Sequence, residues 1–253
     1  MFVQCWGNLC KVPRTNPGIP IFHASEVQQA LERLLYIWAI KHPASGYVQG
    51  INDLATPFFD VFLYPYVKEQ GLYASVGGCE PGSLGRDVLL HVEADSYWCL
   101  TKLLDDIHDH YTTSQPGLQR MIFKLDELVH RIDRNLHNHL HEQGISFVQF
   151  AFRWMNCFLM REINLLAVIR LWDTYIAEDS GFSAFHVYVC GAFLLTWSGE
   201  LCKMEFQDIV MFLQNLPTQD WGVEEVEVLL SQAYILQTLF AGSPAHCSAV
   251  PHR

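Results

Sequence analysis

The chain has 253 residues, 50% of them hydrophobic and 17% charged, with a formal net charge of −11. It can bury a substantial core as one large domain or two intimate lobes. The acidic balance excludes a nucleic-acid footprint and attraction to anionic lipid, and it suits a partner with a basic patch.

The eight cysteines include no C-x-x-C pair. Cys99, Cys157 and Cys190 fall inside helical patterns and read as buried small hydrophobes in a reducing compartment. The start, Met1-Phe2-Val3-Gln4-Cys5-Trp6, has neither a basic region nor a long apolar run, so no signal peptide is expected. Phe58 to Leu63 and Ala184 to Trp197 are too short or too polar to cross a bilayer, which predicts a soluble, cytoplasmic protein.

In chain order, residues 1 to 11 show no period, and Pro13, Pro17, Gly18 and Pro20 make Val12 to Phe22 an extended segment with turns. Ser25-Glu26-Val27-Gln28 fits a capping box. It opens a helix whose apolar positions are Val27, Ala30, Leu31, Leu34, Leu35 and Trp38, and Pro43 ends it. A second apolar helix is predicted from Asn52 to about Tyr66. The glycine-dense stretch from Gly71 to Gly85 reads as a surface loop. Helix resumes at about His91 and breaks at Gln115-Pro116-Gly117. The next apolar face is Leu118, Ile122, Leu125, Val129 and Ile132. Ser146 to Met160, Asn164 to Ala177, Phe182 to Gly199, Glu205 to Leu216 and Gly222 to Phe240 each carry helical period. No run alternates as a strand and no solenoid-length repeat is visible. The fold class is all-α, with nine or so helices, and the tail from Gly242 to Arg253 reads as disordered.

Gly46-Tyr47-Val48-Gln49-Gly50-Ile51-Asn52-Asp53-Leu54-Ala55-Thr56-Pro57 is the most informative stretch. Its glycines permit a short constrained loop between two helices, from which the Gln49 amide can donate and accept hydrogen bonds. Locally, Gly46 also reads as a helix C-cap and Gln49 as a surface residue. This dodecamer, with Ile37 to Pro43 before it and Phe58-Phe59 after it, resembles the glutamine-finger motif of TBC-domain Rab GTPase-activating proteins. The resemblance is strongest to the TBC domain family member 22 group and runs from about Val12 to about Phe240.

The resemblance implies a two-lobed helical domain over residues 12 to 240, with lobes 12 to 143 and 144 to 240. Outside it lie an atypical leader at 1 to 11 and a disordered tail at 241 to 253. It implies that Arg14 is an arginine finger and Gln49 a glutamine finger, both supplied in trans. Tyr47, Gly50, Asn52 and Asp53 would shape the loop. Arginine offers a planar guanidinium to charge building on the transferring phosphoryl group, and glutamine orients the attacking water. The partner would be a Rab-family GTPase in its GTP form, serving membrane trafficking. GTP and Mg²⁺ would belong to that partner, so the chain carries no cofactor; it also has no Walker loop. Localisation peripheral to endomembranes would follow.

Two departures stand out. Lys11 occupies the position where the family has an aspartate before the arginine, and Asn8 the position of an isoleucine. The family's helices before this motif are also absent, so the amino-terminal lobe is expected to be incomplete. The alternative is therefore an impaired module that binds a Rab or adaptor without accelerating hydrolysis.

Phe150 to Trp154, Arg161-Glu162 and Ile169 to Asp173 resemble the family's third motif. Trp154 and Trp172 read as core, the charges as a buried network, and Arg170 and Asp173 share a helix face and can pair. The family usually has Pro and Arg at Asn164 and Leu166. His137 and His141 share a face at metal-ligand spacing, but a solvated face is the better reading, and no metal site is predicted. His108 and His110 read the same way. No G-x-S-x-G motif exists, and Cys157 among Met155, Phe158 and Leu159 reads as buried rather than nucleophilic.

Overall fold

The computed structural model describes residues 15, 19–43, 50–69, 85–112, 114–178 and 181–241. The leader, most of the 71–85 loop, the tail and the residues Arg14, Tyr47 and Gln49 lie outside that set. Among the described residues there are eleven α-helices and two short 3-10 turns, and no strand.

A 3-10 turn at Pro20–His23 leads into α1, Ser25–Lys41, whose buried face is the predicted one, from Val27 to Trp38 and Ala39. The expected capping box does not form. Ser25 Oγ turns to Glu26 Oε2 at 2.9 Å, and Gln28 Nε2 donates to the Phe22 carbonyl at 3.1 Å. Gln28 thus ties the entering chain down instead of closing on its own helix.

Helix α2, Ile51–Glu69, runs through Pro57 and Pro65. Pro57 has no N–H for the carbonyl of Asp53. The Thr56 hydroxyl donates to that oxygen instead, at 2.8 Å, so the interruption leaves no orphan there. Helix α3, Arg86–Asp106, begins five residues before the predicted start. It packs on both α1 and α2. Arg33 of α1 reaches across to Glu93 of α3 through Nη2 at 2.6 Å and Nε at 3.1 Å.

The second 3-10 turn, His108–His110, precedes α4, Pro116–Ile132. Then come α5 (Arg134–Glu142), α6 (Val148–Cys157), α7 (Leu165–Ala177), α8 (Phe182–Leu195), α9 (Ser198–Leu201), α10 (Phe206–Gln214) and α11 (Val223–Phe240). Helix α4 packs on α5, α6 and α8, and α8 packs in turn on α6, α7 and α11. Helix α2 also touches α6 and α7, which joins the first three helices to the rest. The buried side chains form one continuous core. Trp154 and Trp172 are in it as predicted, at 0% and 2% exposure. Cys157 and Cys190 are buried, whereas Cys99 is only half-buried.

The histidine reading needs correction. His110 is 2% exposed, stacked on Phe158 with centroids 5.8 Å apart. His137 is largely covered, and its Nε2 lies 2.7 Å from Asp126 Oδ1. His139 Nε2 lies 2.9 Å from the Met204 carbonyl. His108 and His141 are exposed, as expected. Side-chain type alone does not report burial: His110, His137 and His139 are covered by residues outside their own helical turns.

Candidate functional site

The predicted loop arrives at α2 through Gly50, which has φ of 111°. Only glycine adopts that region freely. Space imposes the same choice, since a Cβ there would meet Asn156 Nδ2 at 2.8 Å. Gly50 O accepts from the Asp53 and Leu54 amides at 3.1 and 3.3 Å and so opens the helix.

Asn52 is the hub. Its side chain is buried, with the residue only 4% exposed. Its Oδ1 accepts from the Gly50 N–H at 3.2 Å. Its Nδ2 donates to Thr15 Oγ1 and to Asp53 Oδ1, both at 3.0 Å. Thr15 is 1% exposed. Thus one amide binds the residue that follows Arg14 and the residue that follows Gln49. An asparagine suits this because it alone among short side chains offers donor and acceptor side by side.

Asp53 is 3% exposed and must be paired to stay charged there. Arg161, beyond α6, supplies the partner: Nε donates to Asp53 Oδ2 at 2.8 Å and Nη2 donates to the same oxygen. The neighbouring Glu162 is held by Arg153, through Nε at 2.6 Å and Nη2 at 2.8 Å. Burial pushes the Glu162 carboxyl above the usual range, and the Arg153 hydrogen bonds oppose that. The Arg161-Glu162 dipeptide therefore clamps α2 on one side and α6 on the other.

It is presented by a turn in which Phe158 and Leu159 both take positive φ, 48° and 61°. The Trp172 indole N–H donates to the Phe158 carbonyl at 3.2 Å and fixes that turn. Below Gly50 lie Asn156 and Cys157. Burial raises the Cys157 thiol to about 11, which leaves it protonated and inert, as the sequence implied. The Tyr111 hydroxyl donates to the Asn156 carbonyl at 3.3 Å.

Of the six predicted site residues, Gly50, Asn52 and Asp53 are brought together, and Arg14, Tyr47 and Gln49 lie outside the described residues. The sequence reading missed Thr15 and Arg161 as supports of this loop. Arg161 was visible as a basic residue set in the apolar run from Phe158 to Ile163, but its partner is 108 positions away. The third motif is a structural network as expected, with one difference. Arg170 does not choose Asp173: its Nη1 donates to Thr174 Oγ1 at 2.8 Å, and its Nε lies 3.5 Å from Glu227 Oε1 on α11. Asn164, where the family has proline, caps α7 by accepting from the Ala167 N–H at 3.0 Å.

An all-α fold, with a buried Asn-Asp pair behind a glycine at the start of α2, is thus in place. Residues 11–202 match the Rab-GTPase-TBC domain family, and the chain belongs to it. Human TBC1 domain family member 22B is 55% identical over 236 residues, covering 93% of this chain and 46% of that protein. The GTPase-activating protein gyp1 of Schizosaccharomyces pombe is 52% identical over 236 residues, covering 93% of this chain and 45% of its own length. The chain thus spans about half the length of the curated relatives it matches. The crystal structure of the Ypt/Rab-GAP domain of Gyp1p superposes with a TM-score of 0.89 at 50% identity, over 94% of this chain and 74% of that one. The Chlamydomonas flagellar RabGAP TBC domain, at 19% identity and a TM-score of 0.65 over 91% of this chain and 66% of that one, shares the fold. Among the described residues no helix is long and apolar enough to cross a membrane.

Proposed function

We propose that this domain accelerates GTP hydrolysis by a Rab-family GTPase in its GTP form, with Arg14 and Gln49 entering the partner's nucleotide site. One observation carries the reading. The Asn52 amide ties the Thr15 hydroxyl to the Gly50 N–H, so the residues beside the two finger positions are fastened to one buried group. Two loops held to a common anchor can deliver two side chains to one phosphoryl group. That is positioning catalysis, which suits a reaction whose transition state needs charge stabilisation and an oriented water more than covalent chemistry. The family, and the GTPase-activating activity for which its relative gyp1 is named, support the same reading. GTP and Mg²⁺ are the partner's, and the site's own contribution is rigidity and two polar side chains. A trafficking role at endomembranes follows from a Rab partner.

The test is single-turnover GTP hydrolysis across a panel of GTP-loaded Rabs. We expect acceleration by at least one Rab's cognate pairing, falling about 10³-fold or more in Arg14→Ala, the order assigned to a trans arginine. Gln49→Ala should lose the acceleration while keeping its fold. Binding of a GTP-loaded Rab with no acceleration by the unmodified chain would replace this reading with that of a docking module, an outcome that Lys11 in place of the family's aspartate makes worth measuring.

A further inference from the structure

We propose that His130 and His137 form a two-histidine site for a tetrahedral divalent transition metal, zinc by its geometry, with Asp126 as the outer partner. His130 lies in the last turn of α4 and His137 in α5. Their Nδ1 atoms are 3.3 Å apart. Two imidazole nitrogens bound to one tetrahedral zinc at about 2.0–2.1 Å stand about 3.3–3.4 Å from each other. A square-planar ion would hold adjacent nitrogens at about 2.8 Å, which disfavours Cu²⁺ and Ni²⁺ in this arrangement.

The second observation is the orientation of His137. Its Nε2 faces Asp126 Oδ1 at 2.7 Å, so that nitrogen carries the proton and Nδ1 keeps its lone pair. A carboxylate behind the distal nitrogen is the usual support of a metal-bound histidine: it fixes the tautomer and raises ligand basicity. The ring is further seated against Phe147, with centroids 6.0 Å apart. His130 is exposed and free to present Nδ1 as a lone pair by carrying its proton on Nε2. Without metal, His130 instead donates its Nδ1–H to His137. With metal, His130 takes the other neutral tautomer, its proton on the exposed Nε2, and both Nδ1 lone pairs face the ion.

Among the described residues no third His, Cys, Asp or Glu completes the set, so water fills the other positions and affinity is moderate. The metal would pin α4 to α5 across the turn at Asp133, whose side chain already caps α5 at the Leu136 N–H and accepts from Ser198 Oγ at 2.6 Å. The pair crosses between helices, unlike the His137 and His141 spacing within one helix, for which a solvated face is the better reading.

The test uses the full reduced chain titrated with Zn²⁺ alone, by calorimetry and by thermal unfolding, with Co²⁺ as a spectroscopic substitute. One ion per chain is expected, with a tetrahedral Co²⁺ absorption band and a metal-dependent rise in Tm. Exposed-site variant His130→Ala should fold normally and lose at least ten-fold in affinity, and Asp126→Asn should lose about 10- to 100-fold. His141→Ala should leave binding unchanged. Equal Zn²⁺ affinity in His130→Ala and the unmodified chain, or an octahedral Co²⁺ spectrum, overturns the proposal and leaves the pair as a hydrogen bond.

Discussion

Gly50 shows how little latitude single positions near the site have. Replacing it by alanine forces a β-carbon into φ of 111° and to within 2.8 Å of Asn156 Nδ2. The expected cost is about 1–3 kcal/mol, read as a drop in the urea midpoint at unchanged m-value. Arg161→Ala leaves Asp53 charged and buried without its main cation. Removing one partner of a fully buried pair costs about 3–5 kcal/mol, and because Arg161 is itself 44% exposed at its side chain the expected loss is about 2–3 kcal/mol. Urea denaturation of Arg161→Ala beside the double variant Arg161→Ala/Asp53→Asn checks the cause: the second change should restore part of the loss. None of this was legible locally. Gly50, Asn52 and Asp53 stood out as a motif, but nothing in their spacing says that Asn52 reaches back to Thr15 or that Asp53 meets an arginine from a distant turn.

The helices are held at joints rather than by face packing alone. At His186, on α8, the Tyr175 hydroxyl of α7 donates to Nδ1 at 2.7 Å and Nε2–H donates to the Trp154 carbonyl of α6 at 3.1 Å. Burial drives His186 down to about 3, against the opposing Trp154 bond, and burial drives His110 down to about 4, against Asp109. Above pH 6.5 both imidazoles are neutral in the folded and unfolded chain and contribute no pH dependence. Below it the unfolded chain takes up protons that the folded chain refuses, so stability falls with pH until the folded values are reached. At pH 5 the expected loss is about 2 kcal/mol for each histidine. Urea midpoints between pH 7 and pH 5 check it, and a flat profile would contradict the neutral assignment. A second joint is Asn164, which caps α7 and donates to the Trp221 carbonyl before α11. Asn164→Ala should cost about 1–2 kcal/mol, seen as a lower Tm. Helix positions and most core faces were legible from periodicity, as with Trp154 and Trp172. The joints were not, because histidine and asparagine read as surface residues until their remote partners are known. The Ser25 to Gln28 pattern failed for the converse reason: a sound local motif lost to a tertiary acceptor, the Phe22 carbonyl.

For the molecule as a whole, α2 is both the element that touches the later helices and the one that begins with the candidate site. What the sequence made legible at this scale was the fold class and the family; the tie of Thr15 and Gly50 to Asn52 became visible only in three dimensions. The proposal that joins fold to function is that Asn52, bonded to Thr15 and Gly50, positions the neighbouring Arg14 and Gln49 for one phosphoryl group. The most direct measurement is the single-turnover rate for Asn52→Ala with a responsive GTP-loaded Rab, beside its affinity for that Rab and its Tm. We predict a rate about 10²-fold lower, the order that misplacement near 1 Å produces, with Rab affinity retained and a loss of stability of about 1–3 kcal/mol. An Asn52→Ala chain that stimulates hydrolysis as well as the unmodified one would contradict it.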